Sequence, residues 1–296
     1  MFPIPDIVRN KAIAVGRDDW IETLPDVVNF LKREWNISIG SLYKGGTEAI
    51  VLEAWLPDRT PAVLKILVPS SPDAARNEIV ALRLANGDGC VKLLNEHEEH
   101  GALLLERLGR SLASLRLPLE QRQLILCTTV ERMWRPAAGF DLPTGADKGR
   151  WLIDFITSLW DELDHPCEEQ TVDYVVACAL RRVAAHRDEK SVLVHGDVHV
   201  WNALESDGSF KLIDPDGLLA EAEYDMGILM REDPEELLVG DARDRARLLA
   251  KRCDLDPEAI WEWGAVERVS TGLLCVQVGM EQVGLEMLSV ANRLIE

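Results

Sequence analysis

The feature that most constrains this chain is the spacing of three oxygen-bearing side chains. Asp197 and Asn202 lie within His195-Gly196-Asp197-Val198-His199-Val200-Trp201-Asn202, and Asp214 lies in Ile213-Asp214. Asp214 follows Asp197 by 214 − 197 = 17 residues, separated from Asn202 by Ala203 to Ser206, an Asp207-Gly208 pair, and Ser209 to Ile213. Asp-Gly between two short runs is a strong hairpin signal, because a tight two-residue turn needs positive φ at both central positions. Phosphoryl transfer uses such a set. One aspartate accepts or orients the proton of the attacking hydroxyl, an asparagine five positions on binds one magnesium ion, and an aspartate past a hairpin binds the metal on the nucleotide phosphates. That reaction leaves the protein little covalent work, so positioning and hard oxygen ligands carry most of the catalysis. His-Gly-Asp alone is an ordinary polar turn; its register with Asn202 and Asp214 is what gives it chemical meaning. His195 and His199 stand four apart, but no third ligand at sensible spacing follows and Gly196-Asp197 interrupts any helix. His195 is therefore read as a residue that braces the loop.

With those residues in place the chain resembles the aminoglycoside phosphotransferase family, antibiotic kinases that share the protein-kinase fold. The run Ile213-Asp214-Pro215-Asp216-Gly217-Leu218, then Glu221 and Tyr224-Asp225, is most similar to the branch containing streptomycin 6-kinases and hydroxyurea-resistance kinases. The resemblance is carried mainly by residues 191 to 226 and elsewhere by order and pattern. It implies an α+β, two-lobed protein-kinase-like fold, with an N-terminal antiparallel sheet lobe and a mostly helical C-terminal lobe. It also implies Asp197 as catalytic base, Asn202 and Asp214 as magnesium ligands, and Asp225 as a brace of the catalytic loop.

The upstream half is then searched for what such an enzyme must still provide. Pro61-Ala62-Val63-Leu64-Lys65-Ile66-Leu67 is a buried-strand pattern holding one lysine, which is costly unless its charge meets phosphate or a carboxylate. Lys65 resembles the kinase strand lysine. Its expected partner is Glu78, on a helix that Ser71-Pro72 opens and Ala74 to Leu82 continues. The alternative is that Lys65 snorkels from an edge strand and Glu78 is a solvated helix residue. Ahead of the lysine strand, Leu42-Tyr43-Lys44-Gly45-Gly46-Thr47-Glu48-Ala49-Ile50 reads as strand, tight turn, strand. Gly45, Gly46 and Thr47 are candidates for covering phosphates with backbone amides, although neither G-x-G-x-x-G nor a P-loop signature is present. Gly101 to Gly109 is an apolar strand ending in polar residues. It fits the segment joining two lobes, where the backbone of Glu106 and Leu108 would meet an adenine edge. The expected organisation is a nucleotide-binding lobe over 1–105, a hinge over 106–109, and a catalytic and acceptor-binding lobe over 110–296.

Composition excludes several classes. The net charge of −19, from 51 acidic and 32 basic residues, argues against a nucleic-acid partner. No apolar run approaches the roughly eighteen residues of a membrane span, and Asp6 and Arg9 interrupt any signal-like core at the N-terminus. A cytoplasmic location is expected, where ATP is available; the resemblance implies ATP or GTP with magnesium as cofactors, in a monomer or homodimer. The six cysteines form no C-x-x-C pair and fit scattered reduced thiols. Acidic composition suits solubility, and it also suits a cationic small-molecule acceptor. Asp216, Glu232, Asp233, Glu235 and Glu236 follow the metal aspartate closely and are candidate acceptor contacts, with Trp201 as a wall of the acceptor pocket or a support beneath the metal site. Asp-Pro-Asp-Gly in place of Asp-Phe-Gly, and the lack of an activation segment, make a protein substrate less suitable than a small one. A streptomycin-like aminocyclitol is favoured; a metabolic small-molecule kinase and a non-catalytic nucleotide-binding regulator are the alternatives.

Overall fold

The computed structural model describes residues 4–295 except Lys44, Gly45, Thr47, Pro72 and Ala138. The chain divides into two compact units, one comprising 1–110 with 205–216 and the other 111–204 with 217–296. The segment carrying Asp214 thus belongs with the N-terminal residues, whereas the sequence reading grouped it with 110–296.

The first unit opens with α1 (Asp6–Ala14) and α2 (Asp18–Glu34), then β1 (Ser38–Leu42), β2 (Ala49–Trp55), β3 (Pro61–Leu67), α3 (Ala74–Ala85), β4 (Leu93–His97) and β5 (Ala102–Glu106). The strands form one antiparallel sheet in the order β1-β2-β3-β5-β4. In α2, Leu24, Val28 and Leu31 are buried as their helical spacing predicts, while Trp35 falls just past the helix and caps it. These side chains share a core with Ile50, Leu52, Leu64, Ile66 and Leu104 on one sheet face. Side chains alternate across a strand, so Lys65, between Leu64 and Ile66, projects from the opposite face. It stands on a central strand, paired with Val51 of β2 and Leu103 of β5. That position excludes the edge-strand alternative.

The second unit is mostly helical: α4 (Leu119–Val130), α5 (Gly145–Glu162), α6 (Glu169–Ala185), the strand β6 (Val192–Val194), and, after the hairpin β7 (Ala203–Ser206) and β8 (Ser209–Leu212), the strand β9 (Leu218–Ala220). Helices α7 (Glu223–Leu229), α8 (Arg243–Cys253), α9 (Pro257–Gln277) and α10 (Glu281–Ile295) complete it. β6 pairs antiparallel with β9. The hairpin turn is the expected Asp207-Gly208, with φ +46° and +76°, the signs a type I′ turn requires. α9 is buried along most of its length, including Trp261, Trp263, Val266, Val269 and Leu273, and forms the axis of this core with α5, α6 and α7. α9 stops at Gln277; beyond it Gly279 turns the chain at φ +84°, and Met280 is exposed.

The entry to α5 is fixed by a reciprocal cap. The Thr144 hydroxyl accepts from the Asp147 N–H at 3.1 Å, and the Asp147 carboxylate accepts from the Thr144 N–H at 2.9 Å. The Thr144 hydroxyl and backbone bonds, more than burial opposes them, hold the Asp147 carboxyl down to about 2. A carboxyl depressed on folding stabilises above its unfolded pKa and loses that contribution as pH falls through its folded pKa. Thr144→Ala should destabilise by about 1 kcal/mol at neutral pH. The stability difference between wild type and Asp147→Asn, followed by thermal melts, should shrink as pH falls from about 4 toward 2.

Candidate active site

The charged group of the first unit centres on Lys65. Its Nζ donates to both carboxylate oxygens of Glu78, at 2.6 and 2.8 Å, and to Asp214 Oδ1 at 2.8 Å. Lys65 and Glu78 are buried, so the ion pair expected from sequence forms, and Asp214 joins it. Burial disfavours the ammonium, but Asp214 and Glu78 together outweigh it and hold Lys65 protonated. Burial pushes the Glu78 carboxyl up to about 7, against the pull of Lys65 and with Asp214 adding to the rise. The Asp214 side chain keeps 47% of its surface exposed and its backbone takes φ +59°, an uncommon conformation for a non-glycine residue. A carboxylate anchored by one oxygen, presented to solvent and set at the end of a hairpin suits a ligand of a hydrated cation.

Other sequence candidates in this unit are placed as follows. Gly45 and Thr47 lie outside the described residues. At Gly46 a Cβ would come 2.9 Å from the Ala49 carbonyl oxygen, so this position requires glycine. Glu106 ends β5, with its N–H bonded to the Lys92 carbonyl at 3.0 Å and its carboxylate engaged by the Lys92 N–H at 2.7 Å and by Lys211. Leu108 follows, half-buried, outside any strand. The Gly109 N–H bonds the Glu205 carbonyl at 2.8 Å and Arg110 pairs with the Glu205 carboxylate.

In the second unit the loop after β6 is built around a buried carboxylate. Asp225 in α7 accepts from the His195 N–H at 2.9 Å, the Gly196 N–H at 2.9 Å and Trp134 Nε1 at 2.9 Å. Gly196 has φ +88°, the left-handed region that lets successive amides turn toward one acceptor. The fully buried His195 takes the Asp197 N–H on Nδ1 at 3.2 Å, which is the bracing expected of it. The Asp197 side chain then meets three donors: His199 Nε2 at 3.1 Å and Asn202 Nδ2 at 3.1 Å on Oδ2, and Arg231 on Oδ1. His199 Nδ1 accepts the Trp201 N–H at 3.2 Å, which leaves Nε2 as the protonated nitrogen. Burial would raise the Asp197 pKa, but the His199 hydrogen bond and the Arg231 charge overcome it and hold the carboxylate ionised, far below the usual range. Asn202 also donates to the Asp197 carbonyl at 3.1 Å, which leaves its own carbonyl oxygen as its ligand atom.

The candidate acceptor residues divide. Trp201 is 67% exposed and so is not packed beneath anything. Glu232 accepts the Val200 N–H at 3.0 Å and Asp233 pairs with Arg122 at 2.9 Å; both carboxylates serve the fold. Glu235, Glu236 and Asp216 are exposed. Among the described residues no three His, Cys, Asp or Glu side chains converge as a metal cage. Magnesium is commonly held by one or two protein oxygens with phosphates and waters, and Asn202 and Asp214 are donors of that kind.

Sequence reading missed Arg231, Glu267, Trp134 and the role of His199. Arg231 was detectable by the argument that found Lys65. It closes the apolar run Met226-Gly227-Ile228-Leu229-Met230, where a charge needs a partner.

Residues 34–279 match the model of the aminoglycoside/hydroxyurea antibiotic resistance kinases. The chain belongs to this family. It is accordingly a phosphotransferase with an alcohol group as acceptor. The streptomycin 6-kinase of Streptomyces griseus is 25% identical over 98% of this chain and 96% of its own length. The hydroxyurea phosphotransferase of Kitasatospora aureofaciens is 32% identical over 72% of this chain and 62% of its own length. Among solved structures, a thermostable mutant of aminoglycoside phosphotransferase APH(4)-Ia in ternary complex with ADP and hygromycin B aligns with TM-score 0.59 and 14% identity, covering 90% of this chain and 97% of that one. The choline kinase of Cryptosporidium parvum aligns with TM-score 0.61 and 10% identity, over 92% and 94%. These likenesses show the fold, an α+β kinase-like architecture with an N-terminal antiparallel sheet.

Asp225→Ala would leave three buried donors without an acceptor. Urea denaturation should show a loss of about 3 kcal/mol, because hydrogen bonds to a charged group are among the stronger ones and orphaned buried donors are penalised. Asp225→Asn, which keeps one oxygen, should lose less.

Proposed function

We propose that this kinase transfers the γ-phosphoryl group of ATP to a hydroxyl of a small cationic antibiotic, with a streptomycin-like aminocyclitol as the favoured acceptor. The observation that carries the reading is Asp197, a partly exposed carboxylate kept ionised by directed donors, in the loop that also holds Asn202. Such a group orients the acceptor hydroxyl and takes its proton as the phosphoryl group leaves. Lys65, held by Glu78, is the cation for the nucleotide phosphates, and Gly45, Gly46 and Thr47 are the candidates to cover them with backbone amides. The Glu106 to Leu108 backbone receives the adenine edge. Asn202 would hold one magnesium ion and Asp214 another. Bound magnesium neutralises charge on the phosphates. The assignment of residues 1–105, 106–109 and 110–296 to nucleotide lobe, hinge and acceptor lobe belongs to the same reading.

The streptomycin preference draws on the family, on the 25% identical streptomycin 6-kinase and on the net charge of −19. Of the carboxylates just past the loop, Glu235 and Glu236 remain exposed while Glu232 and Asp233 are engaged, so the former are the better contacts for a guanidinium group. A metabolic kinase of the same fold is the second reading, favoured by the alignment with a choline kinase.

Phosphate transfer from labelled Mg-ATP to a panel of hydroxylated amines tests the proposal. Streptomycin should accept phosphate, and Asp197→Asn should bind nucleotide normally while losing about 10²- to 10⁴-fold in turnover. Transfer only to neutral or acidic metabolites would refute the antibiotic reading. Asp214→Ala should weaken Mg-ATP binding in calorimetry more than Asn202→Ala does; unchanged affinity in the Asp214 variant would remove it from the metal assignment.

Salt provides a separate check. Surface charge reaches only about 8 Å at physiological ionic strength, so the streptomycin KM should rise with salt more than the ATP KM. Glu235→Gln with Glu236→Gln should reproduce part of that rise.

A further inference from the structure

Arg231, just past α7, is buried to 14% side-chain exposure and faces Asp197 from the side opposite His199 and Asn202. Its guanidinium also contacts Glu267 Oε2 at 3.4 Å and Thr271 Oγ1 at 3.3 Å, both on α9. Glu267 in turn accepts the Tyr224 hydroxyl at 2.6 Å. A planar guanidinium held at several points has little freedom, so Arg231 ties Asp197 to the long, largely buried helix α9. Helix α7 and the residue just past it therefore grip the loop twice: Asp225 holds its backbone, and Arg231 the Asp197 side chain.

An ionised carboxylate offers about four acceptor positions. His199 and Asn202 occupy the two on Oδ2, and Arg231 occupies one on Oδ1. The position left for an incoming hydroxyl is then on Oδ1, the oxygen whose direction Arg231 sets. We propose that Arg231 is the positioning residue for the reaction, selecting Asp197 Oδ1 as the oxygen that meets the acceptor hydroxyl. Glu267 and Thr271 hold Arg231 in turn. This inference rests on the assignment of Asp197 as the base.

The test is a double-mutant cycle on the full chain, measuring ADP formation from Mg-ATP with streptomycin and with water alone as acceptor. Arg231→Gln should lower kcat by about 100-fold, the scale expected when a reacting group is misplaced by about 1 Å, with nucleotide affinity by calorimetry unchanged. In the Asp197→Asn background the same change should cost less than about threefold, because residues acting as one unit are not additive. Arg231→Lys, which keeps charge without the planar fork, should recover part of the loss. If Arg231→Gln does not fold, Arg231→Lys carries the cycle, with a loss of about 10-fold expected only when Asp197 is present. Losses that multiply across the two sites, or a loss accompanied by weaker nucleotide binding, would overturn the proposal. Asp197→Asn with full activity would overturn both the base assignment and the proposal, whereas an inactive Asp197→Asn beside a fully active Arg231→Gln would overturn the proposal alone.

Discussion

The loop after β6 depends on one buried carboxylate accepting two consecutive backbone amides. Asp225 is fully buried and unable to reach water, yet it receives the His195 and Gly196 N–H groups and the Trp134 indole. Buried amides and a buried charge would each be costly alone. Together they satisfy each other, and the loop conformation that brings them together is also the one that turns Asp197 outward from the core. Every later contact at Asp197 presupposes this. His195 receives the Asp197 N–H only because its own backbone is already tied down.

The Lys65 group follows the same logic with opposite sign. A cation on a central strand, on the sheet face away from the apolar core, is tolerated because two carboxylates close on it. Burial, with the Asp214 charge adding to it and Lys65 opposing it only in part, is why Glu78 holds its proton to unusually high pH. A polyanion binding at this lysine would compete with carboxylates already in place, and the half-exposed Asp214 is better placed to give way than the buried Glu78. The strained backbone of Asp214 is consistent with a residue kept in position by its surroundings.

What the sequence made legible was the chemistry that depends on short-range register. Asp197, Asn202, the Asp207-Gly208 turn and Asp214 are read along the chain, and the turn forms with the expected signs of φ. Lys65 with Glu78 was legible because burying a lone charge has one inexpensive solution. Arg231 and Glu267 were not read, since their meaning lies in a contact 34 residues from Asp197 and another 36 residues further on. The acidic run after Asp214 shows the opposite failure. By composition it is uniform, but Arg122 and the Val200 amide consume two of its carboxylates, and no local pattern marks which ones.

The allocation of 205–216 to the first unit means that this unit is discontinuous along the chain. A fragment ending at Arg110 would lack Glu205, with which Gly109 and Arg110 bond, and would leave Lys65 with Glu78 as its remaining carboxylate. The N-terminal residues are therefore not a module that recombination can move by a single crossover. Any exchange between relatives that preserves this charged group must carry the hairpin with it or keep the donor's hairpin compatible with a foreign sheet. Chain order thus ties the N-terminal sheet and the later hairpin into one unit of inheritance.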